Sequence, residues 1–202
     1  MKKNNEIIKL PDPEKKGILS VEEALYKRRS VRKYKKGYLN LKDISQILWA
    51  AQGITDKRGY RTAPSAGALY PFYVYLIVGD VENLKKGIYR YIPEKHSLNK
   101  ILDGDKRREL SKAALNQRFI EEAQISIVLT AVFEKVVSIY GKRGIMYVYM
   151  EAGHISENIY LQVEALNFGT VAVGAFHDDE VKKLLNLKEE TPLYIMPVGK
   201  KF

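Results

Sequence analysis

Arg61-Thr62-Ala63-Pro64-Ser65-Ala66-Gly67-Ala68-Leu69-Tyr70-Pro71 is the stretch on which the reading of this chain turns. Four small residues, Ser65 to Ala68, follow Pro64, and a valine- and tyrosine-rich run, Phe72 to Val78, begins directly after Pro71. Gly67 has no Cβ and the flanking alanines add little bulk, so something flat or charged could lie close to this backbone. Ser65 is placed to cap a helical turn whose free N–H groups would point outward. The same residues also describe an ordinary tight connection into a strand. Local chemistry leaves both readings open.

The totals narrow the field. A chain of 202 residues is one domain, long enough to bury a full core. With 46% hydrophobic and 29% charged residues it has the make-up of a globular protein, which excludes a disordered or fibrous chain. No apolar run approaches the ~18 residues of a membrane span. The opening Met-Lys-Lys-Asn-Asn lacks a signal-peptide core, so a cytoplasmic protein without a membrane partner is expected. There is no cysteine, hence no disulfide, thiolate metal site or cysteine nucleophile. His96, His154 and His177 lie far apart without ligand-like spacing, so no metal site is expected. Any redox chemistry must come from a cofactor.

Charge is unevenly placed. Residues 1–36 hold twelve Lys/Arg against five Asp/Glu, which is +7 of the net +10. Basic residues there alternate with aliphatic ones, a pattern that suits neutralisation of a compact anion such as a phosphate. It equally describes a solvated face, or a weakly argued nucleic-acid surface.

Taken in order, residues 1–19 read as an extended N-terminal arm without periodicity, and residues 20–202 as a single domain. Ser20 with Glu23 forms a capping box for a helix running through Arg28-Arg29-Ser30-Val31-Arg32. Asn40 starts a second helix with Leu41, Ile44, Ile47, Leu48 and Ala51 on one face, ended by Gly53. Phe72–Val78 is a strand; Gly87–Ile92 and Ser97–Leu102 form a hairpin. Asp105 caps a helix reaching about Asn116. Ile125–Val132 is continuously apolar, so it reads as a central strand covered on both faces. From Gly144 to Phe168, apolar residues recur at helical spacing over roughly 36 Å of helix, with Gly169 as a left-handed cap. His154, inside this helix, reads as a packed core histidine. Thr170–Ala175 is a strand, Asp178 caps a helix through Leu185, and Leu193–Val198 is the last strand. Strands and helices mix without regular alternation, so the fold class is α+β.

Three segments carry candidate chemistry. In a continuing helix Arg28 and Arg32, at i and i+4, would share a face, with Ser30 near its end. Two guanidinium forks and a hydroxyl suit a phosphate monoester, and a basic helix end favoured by the dipole is the alternative. Asn116-Gln117 could read the edge of a heterocycle, or be a polar loop. The nucleoside-triphosphate and dinucleotide fingerprints are absent.

Four segments in order, Arg28-Arg29-Ser30-Val31-Arg32, Ala63 to Pro71, Glu151-Ala152-Gly153-His154 with Asn158, and Val173-Gly174-Ala175-Phe176, resemble the nitroreductase family, and within it the SagB-type dehydrogenase branch. The resemblance covers about Leu19 to Lys200. It implies a nitroreductase-like α+β fold with a mixed, mostly antiparallel sheet, an intertwined homodimer, and FMN at the dimer interface. Carried over position by position, Arg28, Ser30 and Arg32, with Arg29 adjacent, are implied phosphate and ribityl contacts. Pro64, Ser65, Ala66, Gly67 and Ala68 are implied to lie against the isoalloxazine of the neighbouring subunit. Asn116, with Gln117, is implied to read the pyrimidine edge. Val173, Gly174 and Ala175 are implied to present backbone N–H to the ring, and Lys200 and Lys201 to stand near the phosphate.

The implied mechanism is ping-pong hydride exchange between NAD(P)H and a small acceptor through FMN, with no side-chain acid or base required. A flavin-binding protein of the same fold without turnover is the alternative, and a basic nucleic-acid-binding protein is the rival from another class. Two departures stand out. Members that oxidise azoline rings carry a Lys-Tyr pair before the long helix, where this chain has Ile139-Tyr140. Met146 stands where the branch commonly has an arginine.

Overall fold

The computed structural model describes residues 6–202. Seven strands form one sheet: β1 (Ile7–Lys9), β2 (Phe72–Val78), β3 (Gly87–Ile92), β4 (Ser97–Asp103), β5 (Ile125–Ala131), β6 (Phe168–Thr170) and β7 (Thr191–Lys200). Their spatial order is β1-β4-β3-β2-β5-β7-β6. Every ladder is antiparallel. The sheet is thus the mostly antiparallel one expected, with parallel geometry among the described residues in the isolated bridges Ser30–Thr170 and Leu39–Val81.

The helices are α1 (Val21–Lys27), α2 (Leu41–Gln52), α3 (Arg107–Ala113), α4 (Phe119–Glu122), α5 (Glu134–Tyr140), α6 (Arg143–Ala165) and α7 (Asp178–Leu185). They cover both faces of the sheet. On one side Ile44 and Leu48 of α2 and Ile155 and Ile159 of α6 join Val74, Leu76, Ile127 and Leu129. On the other, Leu110, Ile120 and Val181 join Ile77, Val128 and Ile195. All seven residues of β5 are buried, as its unbroken apolar run requires when side chains alternate between two covered faces. No helix among the described residues is long and apolar enough to cross a membrane.

Several expectations are corrected. The first helix stops at Lys27, and Arg28 is already extended (φ −51°, ψ 127°), so Arg28 and Arg32 share no helical face. The arm is less free than its composition suggests. Ile7–Lys9 pairs with β4, Leu10 is only 2% exposed, and Glu14 exchanges hydrogen bonds with the Gln46 amide. The helix after Asp105 ends at Ala113, because Leu115 and Asn116 both adopt left-handed backbone (φ 57° and 60°). The left-handed residue closing α6 is Asn167 (φ 60°), not Gly169. Gly169 lies inside β6, where a Cβ would sit 2.6 Å from that of Val31. His154 is exposed rather than packed. The strand expected over 170–175 ends at Thr170; beyond it only Val173 bridges, to Ile195. The short helices α4 and α5 have too few residues for a periodic signal.

Candidate functional site

The 28–32 segment lies along the edge of the sheet. Ser30 bridges Thr170, the Val31 N–H donates to Thr170 O (2.8 Å), and Lys35 bridges Lys200. In extended backbone alternate side chains share a side, so Arg28, Ser30 and Arg32 are gathered by a period of two, not by a helix. The missing Cβ of Gly169 allows this close approach to Val31.

Behind the strip stands Tyr160 of α6. Its hydroxyl accepts from the Ala172 N–H (2.8 Å) and lies 3.0 Å from Ser30 Oγ, while the Arg28 guanidinium sits 5.2 Å from its ring centroid. With one lone pair occupied by Ala172, the phenol proton is available to Ser30, which leaves the serine proton for an outside acceptor. The part of Tyr160 as an anchor is missed by sequence reading, because it depends on contacts with two distant segments. Arg32 is exposed. Arg29 instead folds back onto the carbonyls of Tyr26 (3.0 Å) and Arg28 (2.7 Å), capping α1. Lys201 is paired with Glu164 (2.7 Å). The Lys200 side chain packs over Gly37.

The same rim continues through residues 170–177. The Val173 N–H donates to Ile195 O (2.9 Å), so it forms a wall and offers no free donor. Gly174 and Ala175 are exposed, and their N–H groups have no protein acceptor among the described residues. Gln117 Nε2 donates to Ala175 O and Ala114 O (both 2.9 Å), which joins the 114–117 turn to this segment and leaves its Oε1 free of such bonds. Asn116 is exposed beside it.

The 64–68 loop is elsewhere. Gly67 takes a left-handed conformation (φ 57°), and Ala68 and Tyr70 do so too (φ 53° and 46°), which strains a non-glycine backbone. Ser65 does not cap the turn. Its hydroxyl donates to Glu151 Oε2 (2.6 Å) and accepts from the Tyr70 N–H (3.0 Å). A Cβ on Gly67 would lie 2.8 Å from the Tyr140 hydroxyl. Glu151 and Tyr160 are separated by roughly 13 Å along α6 at 1.5 Å per residue. The structure therefore unites 28–32, 116–117, 173–175 and Lys200 on one rim and leaves the small-residue loop toward the opposite end of α6. Asn158 is structural, donating to Ala50 O (3.1 Å) and Thr62 O (3.3 Å).

Glu151 had no assigned role in the sequence. It is only 2% exposed, its Oε1 has no partner among the described residues, and burial pushes its carboxyl up to about 7, against weaker downward pulls from Ser65 and the Arg61 charge. The folded chain then holds a proton that the unfolded chain releases, so stability falls as pH rises from about 4.5 to about 7 and stays lowered above that. The lost stability is on the order of 3 kcal/mol at alkaline pH. Glu151→Gln, which keeps the acceptor for Ser65 and cannot ionise, is expected to change little at about pH 5 and to stabilise by up to ~3 kcal/mol at about pH 9. Denaturant unfolding at the two pH values checks this.

The nitroreductase family model matches residues 25–200. A protein of Methanocaldococcus jannaschii named as a nitroreductase is 48% identical over 194 residues, covering 96% of each chain. The microcin B17-processing protein of Escherichia coli is 27% identical over 174 residues, covering 81% of this chain and 63% of its own. A crystal structure from Ralstonia eutropha, described as a nitroreductase, superposes with a TM-score of 0.84 at 27% identity, covering 97% of this chain and 90% of that one.

Proposed function

Because the chain belongs to the nitroreductase family and is an oxidoreductase of that family, we propose that it uses FMN to exchange hydride between NAD(P)H and a small organic acceptor such as a nitroaromatic or a quinone. One observation carries the reading. The acceptor-free N–H groups of Gly174 and Ala175 lie on the same rim as Gln117 and the cationic 28–32 strip, a donor set that fits a planar heterocycle ending in a phosphate.

Arg28, Arg32 and Lys200 would hold the phosphate, with Ser30 donating a further bond. Asn116 and Gln117 would meet the pyrimidine edge, and Gly174 and Ala175 the ring's hydrogen-bonding side. Arg29 and Lys201, engaged with carbonyls and with Glu164, support the rim from behind. Bound FMN would supply the electron-transfer chemistry that a chain without cysteine does not carry itself.

The 64–68 loop would serve the site of a second copy. Its separation from the rim favours this, as do the exposed Ile139, Ile145, Met146, Tyr149 and Met150 on and beside α6. Apolar surface of that kind suits a self-complementary dimer interface. The likeness to the microcin-processing protein supports the SagB-type branch. Ile139 cannot take a proton, which argues against azoline oxidation. With these features the reading is of a cytoplasmic enzyme that binds no nucleic acid.

The test is the visible spectrum of the purified protein, followed by NADH or NADPH without oxygen. A yellow protein that bleaches is expected. One that stays yellow would indicate flavin binding without turnover. A colourless protein that does not take up FMN would overturn the proposal, and salt-sensitive binding to duplex DNA would then favour the nucleic-acid reading.

A further inference from the structure

A second cavity lies away from the rim. β2 and β3 pair only as far as Tyr75 and Arg90. Beyond that point β2 continues along β5 to Phe72, and β3 continues along β4 to Ile92. Where the shared ladder stops, a cavity of about 210 Å³ opens between residues of the two strands.

Its chemistry is one-sided. Arg61, Arg90 and Lys135 line it against the single carboxylate of Glu94. Every buried side-chain nitrogen without an acceptor among the described residues belongs to this lining: Gln52 Nε2, Arg61 Nε and Arg90 Nε. Gln52 is 0% exposed. Arg61 is held by Gln52 Oε1 (2.7 Å) and Glu94 (3.2 Å), which satisfies the ends of its fork but not Nε. The Arg90 guanidinium sits 4.2 Å from the Tyr73 ring centroid, with its Nε unmatched. Lys135 donates to the Tyr73 hydroxyl (2.8 Å) and lies 4.8 Å from the centroid of that ring.

Those three nitrogens are closed off even from water, so what faces the cavity is the unpaired end of the Arg90 guanidinium and the Lys135 ammonium, a cationic lining that calls for an occupant rich in acceptors. Water could match the donors, yet it would leave the positive charge uncompensated. The volume is below the usual range for drug-sized ligands, which favours a compact molecule over a dinucleotide.

We infer that this cavity binds a small organic anion, its carboxylate or phosphoryl group on the terminal nitrogens of Arg90 and on Lys135 and its body against Tyr73 and Tyr91. This site lies away from the 28–32 rim, and Arg61 and Tyr70 of its lining flank the 64–68 loop.

Isothermal titration of the full chain with benzoate, citrate and inorganic phosphate tests it and separates the carboxylate from the phosphoryl source. Saturable binding of at least one anion is expected. Arg90→Ala should weaken it about tenfold to a hundredfold, with partial recovery in Arg90→Lys. The double variant Arg28→Ala/Arg32→Ala should bind the anion unchanged, which keeps this site apart from the rim. Absence of saturable binding by all three probes overturns the inference. So does binding that survives in a folded Arg90→Ala protein, or binding lost only in the Arg28/Arg32 variant.

Discussion

Replacing Arg28 and Arg32 together by alanine is expected to leave a folded protein that no longer retains FMN. Arg32 is exposed and Arg28 half-buried, so neither is a core residue. Arg28 makes only a long ion pair with Glu157 (3.9 Å) and a stacking contact with Tyr160. Each charge-assisted contact to a phosphate is worth about 1.5–3 kcal/mol, so losing two weakens binding by roughly two to four orders of magnitude. The flavin-to-protein ratio after gel filtration reads this directly, with circular dichroism as the folding control. Undiminished flavin content would remove both residues from the phosphate role. It would leave that role to Lys200 on the same rim.

Arg107→Ala is expected to cause the largest loss of stability. Arg107 is 9% exposed. It donates to Asp80 (2.8 Å), to both Asp105 oxygens (3.0 and 2.7 Å) and to the carbonyl of Ala123 (2.8 Å). It thereby ties the start of α3 to the end of β2 and the approach to β5. Lys86 completes the network with Asp80 (3.4 Å) and Asp105 (3.0 Å). Gly79 makes room for the guanidinium; a Cβ there would lie 2.1 Å from it.

Removing one partner of a buried pair costs about 3–5 kcal/mol. The lower end applies here, since both carboxylates keep some solvent contact and the Lys86 charge. A loss of ~3 kcal/mol corresponds to a fall in Tm of roughly 6–12 °C for a chain of this size. Burial alone would raise the Asp105 pKa, but hydrogen bonds from Arg107 and Lys86 hold it well below the usual carboxylate range. The stabilisation is present above the ordinary carboxylate pKa and is lost as pH falls through the depressed value. The gap between wild type and variant should therefore narrow in strong acid. A Tm unchanged at neutral pH would show the network to be incidental.

Elements with a local cause were legible in the residues. The start of α2 at Asn40, the apolar period of α2, the unbroken run of β5 and the length of α6 each depend on neighbours a few positions away. The order of the four segments that resemble the nitroreductase family was legible as well, because it is a property of the linear sequence.

What depended on distant partners was not legible. Arg28 to Arg32 reads as a helix end because Arg and Lys are good helix formers, but the ladder bond from Val31 to Thr170 holds it extended. Gly169 reads as a helix cap until Val31 is found where its Cβ would be. Glu151 is an ordinary glutamate in sequence; its raised pKa comes from burial, a property of the packed layers around it. The cluster around Arg90 needs β2 and β3 to separate. The 64–71 stretch keeps its small residues as the sequence alone presents them, with Gly67 in the left-handed turn that its lack of a Cβ favours. Only the tertiary structure shows that Ser65 anchors this loop to Glu151, away from the rim that gathers the cations. Side-chain type is written locally, whereas distance, burial and partner come from contacts between residues far apart in the chain.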